Sequence, residues 1–285
     1  MKSDIKIGSA IITPVFEIDA GQVIQDGIPD ATSEAVQQIP WLNPNYADAS
    51  GKLRAQVQAF LVDVDGKKIV IDACCGDGRE RPGLPEWGHL QTGFMERFKK
   101  IFQPEEVDIV LCTHMHFDHV GWNTTFVDSK WTPTFPNAQY IFSKREFDYW
   151  NGKPEKEMED DRMGFVESIL PAHEAGLAKL VPDDYHITPS VSYIPTPGHT
   201  PGHVAVLIES NGESAVISGD ALHHPCQIAH PEWGTPFDSD TEQANKSRRE
   251  LLERFADTDT AFIGAHFPEP VAGKITRDGE RFKLI

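Results

Sequence analysis

The segment THMHFDHVGW, Thr113 to Trp122, places three histidines and an aspartate within six residues, directly after the apolar run VDIVLC. A neutral imidazole offers a ring nitrogen to a metal and a carboxylate offers a hard oxygen, so the residue types point to metal chemistry. His114 and His116 stand two apart at the end of a buried strand, where their side chains can point the same way and share one ion. Asp118 and His119 follow in a turn and can face a second ion close to the first. Taken singly, each is an ordinary surface or hydrogen-bonded residue. Together they form H-x-H-x-D-H, and such crowding of polar groups at a strand end has little structural benefit.

Three further candidates each lie just beyond an apolar run: His199 in YIPTPGHTPGHV, Asp220 in AVISGDALHHP and His266 in AFIGAHFPEP. His203, the second histidine of GHTPGH, is either a replacement ligand or a brace for the loop. In order and spacing the set resembles the metallo-β-lactamase superfamily, over about residues 55 to 268. The likeness implies that His114, His116 and His199 hold a first metal, that Asp118, His119 and His266 hold a second, and that Asp220 bridges them; it favours His199 over His203. It also implies an α/β four-layer αβ/βα sandwich and two Zn2+ per chain, with Mn, Co or Fe as substitutes.

Two zinc ions sharing a water lower its pKa from ~16 toward ~7, which supplies a hydroxide nucleophile without a serine or cysteine. One ion can polarise a carbonyl or phosphoryl oxygen while the other stabilises the departing oxygen. Asp118 can orient the hydroxide or accept its proton. His223, three residues after Asp220, falls where acyl-homoserine lactonases of the superfamily carry a tyrosine. Here GDALHH departs from that pattern and looks more like organophosphate-hydrolase relatives. His223 then either donates a hydrogen bond to substrate or stands behind the site with His224. Trp122, Trp233 and Phe237 form an apolar wall or belong to the core. No G-x-S-x-G elbow, phosphate-binding loop or dinucleotide fingerprint competes with the histidine set. The expected activity is a lactonase or esterase for a small apolar substrate, with organophosphate triesters as a side activity. A glyoxalase II-like thioesterase is the alternative within the superfamily, although no basic carboxy-terminal glutathione site is evident. A non-catalytic metal-stabilised binding protein is the alternative of another class, disfavoured because structural zinc sites usually close with four ligands and often use cysteine.

The elements that must position these residues are legible as short β-branched runs: SAIITPV, VQAFLVDV, KKIVIDA, VDIVLCT, AQYIFS, VSYIPT, HVAVLIE, SAVISG and TAFIGA. They predict at least nine strands, hence two sheets or one very large one. Leu90, Phe94, Phe98 and Phe102 predict one amphipathic helix, and Ala244, Leu251, Leu252 and Phe255 another. Ser239 with Glu242, and Ser143 with Glu146, read as helix-start boxes. GKITRDGERFKLI reads as a hairpin turning at Asp278-Gly279. Segments 22 to 52, 76 to 89 and 150 to 187 look irregular enough to be lids or surface insertions; the first carries Trp41, Leu42 and Tyr46, which can cover an apolar ligand or pack inward. With no repeat or linker, residues 1–285 read as a single hydrolase domain.

The formal net charge of −18, from 44 acidic and 26 basic side chains, repels phosphate backbones and anionic lipid, so neither nucleic acid nor membrane is expected as a partner. A small-molecule ester or lactone is expected instead; the sequence does not name the oligomeric state, and a homodimer is one option. The four cysteines show no C-x-x-C spacing and read as reduced, buried thiols. The amino-terminal stretch has acidic residues where a signal peptide needs its apolar core, which predicts a soluble, cytoplasmic protein.

Overall fold

The computed structural model describes residues 4–154 and 159–285, which fall into two compact units. The first unit comprises the residues up to Lys6, Ala10–Ile18 and Val57–Pro182, and the second Ile7–Ser9, Asp19–Gln56 and Asp183–Ile285. Helices α1 (Gly21–Gly27) and α2 (Ser33–Gln37) belong to the second unit; α3 (Phe94–Phe98), α4 (Phe117–Val120), α5 (Lys144–Asn151), α6 (Glu159–Gly164) and α7 (Leu170–Glu174) to the first; α8 (Cys226–Ala229) and α9 (Thr241–Phe255) to the second. Among the described residues, no helix is long and apolar enough to cross a membrane.

The first unit is built on a seven-stranded mixed sheet. Its order is β1 (Ile5–Ile7), β2 (Ala10–Asp19), β3 (Gln56–Val64), β4 (Lys67–Ile71), β5 (Ile109–Leu111), β8 (Gln139–Ser143) and β9 (Ala178–Val181), with β6 (Thr124–Val127) and β7 (Lys130–Pro133) pairing as a separate hairpin. Strands β4, β5, β8 and β9 run parallel, with Ile71 opposite Leu111 and Leu111 opposite Ile141. Parallel strands are covered on both faces and read as unbroken apolar runs, which is why KKIVI and DIVLC stood out. The register also has a chemical consequence: the chain leaves three neighbouring strands at one edge, delivering Asp72, Thr113 with His114, and the start of α5 to the same place.

The second unit carries a five-stranded sheet in the order β10 (Val191–Pro195), β11 (Val204–Ser210), β12 (Glu213–Ile217), β13 (Ala261–Ile263) and β14 (Ala272–Gly273). β10 and β12 are each antiparallel to β11, and β13 is parallel to β12 with Ile217 opposite Ile263. Thus β10, β12 and β13 all point the same way, and the residues just beyond their ends, His199, Asp220 and His266, emerge at one edge. The expected carboxy-terminal hairpin is present as β15 (Ile275–Asp278) and β16 (Arg281–Leu284), with Gly279 at φ 66 in the turn.

Several local expectations need correction. The face from Leu90 to Phe102 is helical only over Phe94–Phe98, because Gly93 enters α3 in the left-handed conformation and the chain turns before Pro104. Helix α9 is capped by Asp240, whose side chain accepts from the Gln243 N–H, and not by Ser239, whose own N–H is bound to the His199 carbonyl. Ser143 does cap α5, accepting from the Glu146 N–H at 3.1 Å. Segment 150–187 contains α6, a π-helical turn at Phe165–Ile169, α7 and the edge strand β9, so it is largely regular structure. Residues 155–158 of that segment, and the first three of the amino-terminal stretch, lie outside the described residues. Segment 22–52 is closed on itself: the Gln25 amide donates to the carbonyls of Ala31 and Gly51 and accepts from Leu53 N–H. Leu42 and Tyr46 are buried, with the Tyr46 hydroxyl donating to the Pro270 carbonyl.

Candidate metal centre

In the first unit, three alternate backbone N–H groups of the ligand segment end on carboxylates from three different elements. Thr113 N–H donates to Asp72 at 2.8 Å, Met115 N–H to Glu146 at 3.1 Å and Phe117 N–H to Asp161 at 3.0 Å. Between these anchors project His114 and His116, with ring centroids 4.6 Å apart, and His119 stands 4.1 Å from His114. Asp118 is partly exposed, with an oxygen 3.6 Å from His119 Nε2.

The hydrogen bonds fix which ring nitrogen each histidine offers. The Thr113 hydroxyl spends its proton on Asp72 at 2.8 Å, so it accepts from His114 Nδ1–H at 3.1 Å. His119 Nδ1 donates at 3.0 Å to Asp72 Oδ2, the same oxygen that takes the Thr113 hydroxyl. In both rings Nδ1 carries the hydrogen and Nε2 the lone pair, the arrangement by which outer carboxylates and hydroxyls orient metal-binding imidazoles. His116 Nε2 lies 3.9 Å from Asp161, whose carboxyl is pushed up by burial.

The second unit repeats this pattern. His199 Nδ1 donates to Asp238 at 2.9 Å and His266 Nδ1 to the Gln56 carbonyl at 3.1 Å, so both present Nε2. Around the buried Asp220 carboxylate stand these two nitrogens, His199 at 3.6 Å and His266 at 3.2 Å, together with His223 Nε2 at 3.3 Å. The ligand atoms of His199, Asp220 and His223 all lie within 4.8 Å of one another. For His199 and His266 this sets an acceptor lone pair against a carboxylate oxygen, which is unfavourable unless a cation or an added proton sits among them. The donor set therefore fits a bound divalent metal, and its nitrogen and oxygen atoms suit zinc and its borderline neighbours.

His203 is a brace. Its Nε2 accepts from the Asp220 N–H at 2.9 Å and its Nδ1 faces Thr196 Oγ1 at 2.8 Å. His224 is likewise committed: Nδ1 accepts from Cys226 N–H, Nε2 donates to the Tyr46 carbonyl, and burial pulls its pKa down to about 4. The expected apolar wall divides. Trp122 is buried, donating to the Glu17 carboxylate at 2.6 Å and stacking on Phe94, and Trp233 is buried against His230. Phe237 alone of the three is exposed, at 39%, with its ring 6.2 Å from that of His223.

Sequence reasoning gave no part in the site to Asp72, Glu146, Asp161, Asp238 or Arg248, all of which hold the ligand segments; Glu146 figured there only as a helix-start residue. Asp72 had a signal, an acid just past a buried parallel strand; the others sit in helices or loops where charged side chains are common.

A model of the metallo-β-lactamase superfamily matches residues 54–266, and the chain belongs to that superfamily. An N-acyl homoserine lactonase of Bacillus sp. is 31% identical over 117 residues, covering 41% of this chain and 38% of the lactonase. The dizinc quorum-quenching lactonase AidC, solved with a product bound, superposes with a TM-score of 0.77 at 22% identity, covering 99% of this chain and 96% of AidC. The hydrolase AbOPH of the β-lactamase superfamily gives 0.77 at 26% identity, with the same shares of 99% and 96%. The fold implied by the resemblance is thus the fold found, with two mixed sheets flanked by helices.

Proposed function

We propose that the chain is a dinuclear metal-dependent hydrolase that opens a lactone or ester of a small apolar substrate. The observation that carries this reading is the arrangement of imidazoles: His114, His119, His199 and His266 each commit Nδ1 as a donor and present Nε2, and Asp220 is faced by two of these rings, His199 and His266, and by the ring of His223. His114, His116 and His199 would hold one ion, Asp118, His119 and His266 the other, and Asp220 both, with zinc as the metal. When bound, the pair would supply an activated water at neutral pH and Lewis acidity toward a carbonyl oxygen. Asp118, partly exposed beside His119, orients the water and takes up its proton on a carboxylate oxygen. His223 gives a hydrogen bond from its ring to the substrate oxygen, and the exposed Phe237 ring beside it supplies apolar surface for the rest of the molecule. Lactones are preferred as substrates because lactonases stand among both the sequence relatives and the structural neighbours. Organophosphate triesters, which also present a polarisable oxygen and a leaving alkoxide or phenoxide, are proposed as a side activity.

The reading takes residues 1–285 as one hydrolase domain, because the matched family segment 54–266 runs through both units. Four buried free cysteines support a reducing, cytoplasmic setting. The deciding experiment is metal content per chain by elemental analysis, with hydrolysis of a lactone and ester panel before and after chelation. Two zinc ions and chelator-sensitive turnover are expected. One iron without hydrolysis would overturn the dinuclear reading, and two ions without turnover would leave a metal-stabilised binding protein.

A further inference from the structure

The second unit contains a buried arginine whose bonds reach the backbone beside Asp220 and both ends of the loop that carries His223. Arg248, on α9, is fully buried. Its Nε donates to the Ala221 carbonyl at 2.8 Å, immediately after Asp220, and its Nη1 to the carbonyls of Pro231 at 2.9 Å and Trp233 at 2.8 Å. These three carbonyls bracket the loop that carries His223. The loop is tied a second time by Gln227, which accepts from the His223 N–H at 2.7 Å and donates to the same Trp233 carbonyl at 2.9 Å. On its other side, Arg248 Nη2 lies 4.0 Å from Asp238, whose buried carboxylate accepts from His199 Nδ1–H at 2.9 Å.

Helix α9 is seated for this task. Gly198, at φ 132, lies so close to the helix that a Cβ there would fall 2.2 Å from the Ala244 nitrogen, and Ser247 Oγ donates to the Pro197 carbonyl at 2.6 Å. Positions 244, 247 and 248 lie on one helical face, so the surface that meets the His199 loop also aims Arg248 at the Asp220 loop. A buried guanidinium is a costly way to fill a core; apolar residues of similar volume often do as well or better. Its value here must lie in what it holds.

We propose that Arg248 is the positioning residue for the metal ligands of the second unit, acting on His199 through Asp238 and on Asp220 and His223 through the carbonyls of their loop. The proposal rests on the reading of His199 and Asp220 as metal ligands and of His223 as their neighbour in the site. It requires the planar fork of arginine, which reaches several acceptors at fixed angles; lysine keeps the charge but supplies a point donor.

The test compares the full-length wild type with Arg248→Lys, Asp238→Asn and the double variant, each loaded with zinc and titrated with a chelator, and with cobalt for its visible spectrum. Outer-sphere partners of metal ligands typically set 10- to 100-fold in affinity, so each single variant should release zinc at roughly 10- to 100-fold weaker chelation and show an altered cobalt spectrum. Because Arg248 and Asp238 act in series on His199, the double variant should lose less than the product of the two single effects. A purely structural Arg248 would lower the melting temperature and leave zinc affinity and the cobalt spectrum unchanged. That result in a folded Arg248→Lys protein overturns the proposal. If Arg248→Lys does not fold, the shape-conserving Asp238→Asn variant decides, since wild-type zinc affinity there removes the link to His199. A wild type that binds zinc without hydrolysing the panel refutes the enzymatic reading and leaves this test intact. A wild type that binds no zinc refutes both.

Discussion

Asp72→Asn tests how the first unit prepares its ligands. Asp72 is 1% exposed, and its two oxygens take the Thr113 N–H at 2.8 Å, the Thr113 hydroxyl at 2.8 Å and His119 Nδ1 at 3.0 Å. The residue sits at φ 54, a left-handed conformation that asparagine adopts readily, so the substitution keeps both shape and backbone. What changes is the sense of one group. Oδ1 can still accept from the Thr113 N–H, but the new amide nitrogen is a donor pointed at two donors. Relief requires the Thr113 hydroxyl to turn and accept, and His119 to move its proton from Nδ1 to Nε2. The turned hydroxyl then donates toward His114 Nδ1, which pushes that ring to the same wrong tautomer. One atom thus removes the lone pair that each of two ligands would offer. Hydrogen bonds to a charged group contribute about 1.5–3 kcal/mol each, and losing an outer carboxylate typically costs 10- to 100-fold in metal affinity, or about 1.4–2.7 kcal/mol. The expectation is therefore a loss of zinc affinity of at least about 10-fold, read as zinc retained per chain against chelator concentration, with the urea midpoint of the zinc-free chain as the folding control. A folded Asp72→Asn protein that holds zinc as tightly as the wild type would refute the tautomer argument.

Three further outcomes follow from other parts of the structure. His223→Ala should lower kcat by about 100-fold, the usual cost of one donor to a developing oxyanion, while zinc content stays at the wild-type level; unchanged kcat and KM would remove the substrate role. His224 is buried with a pKa near 4 against an ordinary 6.5, so the unfolded chain binds the extra proton between these values and stability must fall as pH drops from about 6.5 toward 4. That component is about 3 kcal/mol, and denaturant titrations of His224→Gln should show a correspondingly flatter acid limb. Gly198→Ala would drive a methyl into the Ala244 backbone and force α9 from the His199 loop, costing more than about 2 kcal/mol, measurable as a lower urea midpoint with an unchanged slope.

The nine apolar runs all appear as strands, eight of them interior to a sheet and β10 at an edge of one, because burial on one or both faces writes an unbroken or alternating pattern into the chain. What stayed hidden lies at edges or on the surface. The β6–β7 hairpin leaves Phe126 57% exposed, β9 is a four-residue edge strand, and β14 has only two residues. Elements that bury so little leave no periodicity to read. Helix α3 shows the opposite failure: Phe94, Phe98 and Phe102 are all buried at helical spacing, yet the helix stops at Phe98, because packing requires only that the rings share a face.

The metal-binding residues and the residues that orient them differ in legibility for one physical reason. A ligand must meet other ligands, so it gathers beside them in short motifs or just past a strand end, where its chemistry is out of place. An orienting carboxylate needs only to reach one ring or one N–H, and any element that passes close by can supply it. Asp72 lies 47 residues from His119, and Asp238 lies 39 residues from His199. Glu146 joins the H-x-H segment from a helix that follows the next parallel strand, and Arg248 joins the second set from the packed face of α9. Parallel register is what converts those separations into contact, since in-step strands discharge their next residues at one edge. A sequence pattern can therefore name the atoms that would touch a metal, but the proton positions that make those atoms ligands are set by partners that only the fold brings near.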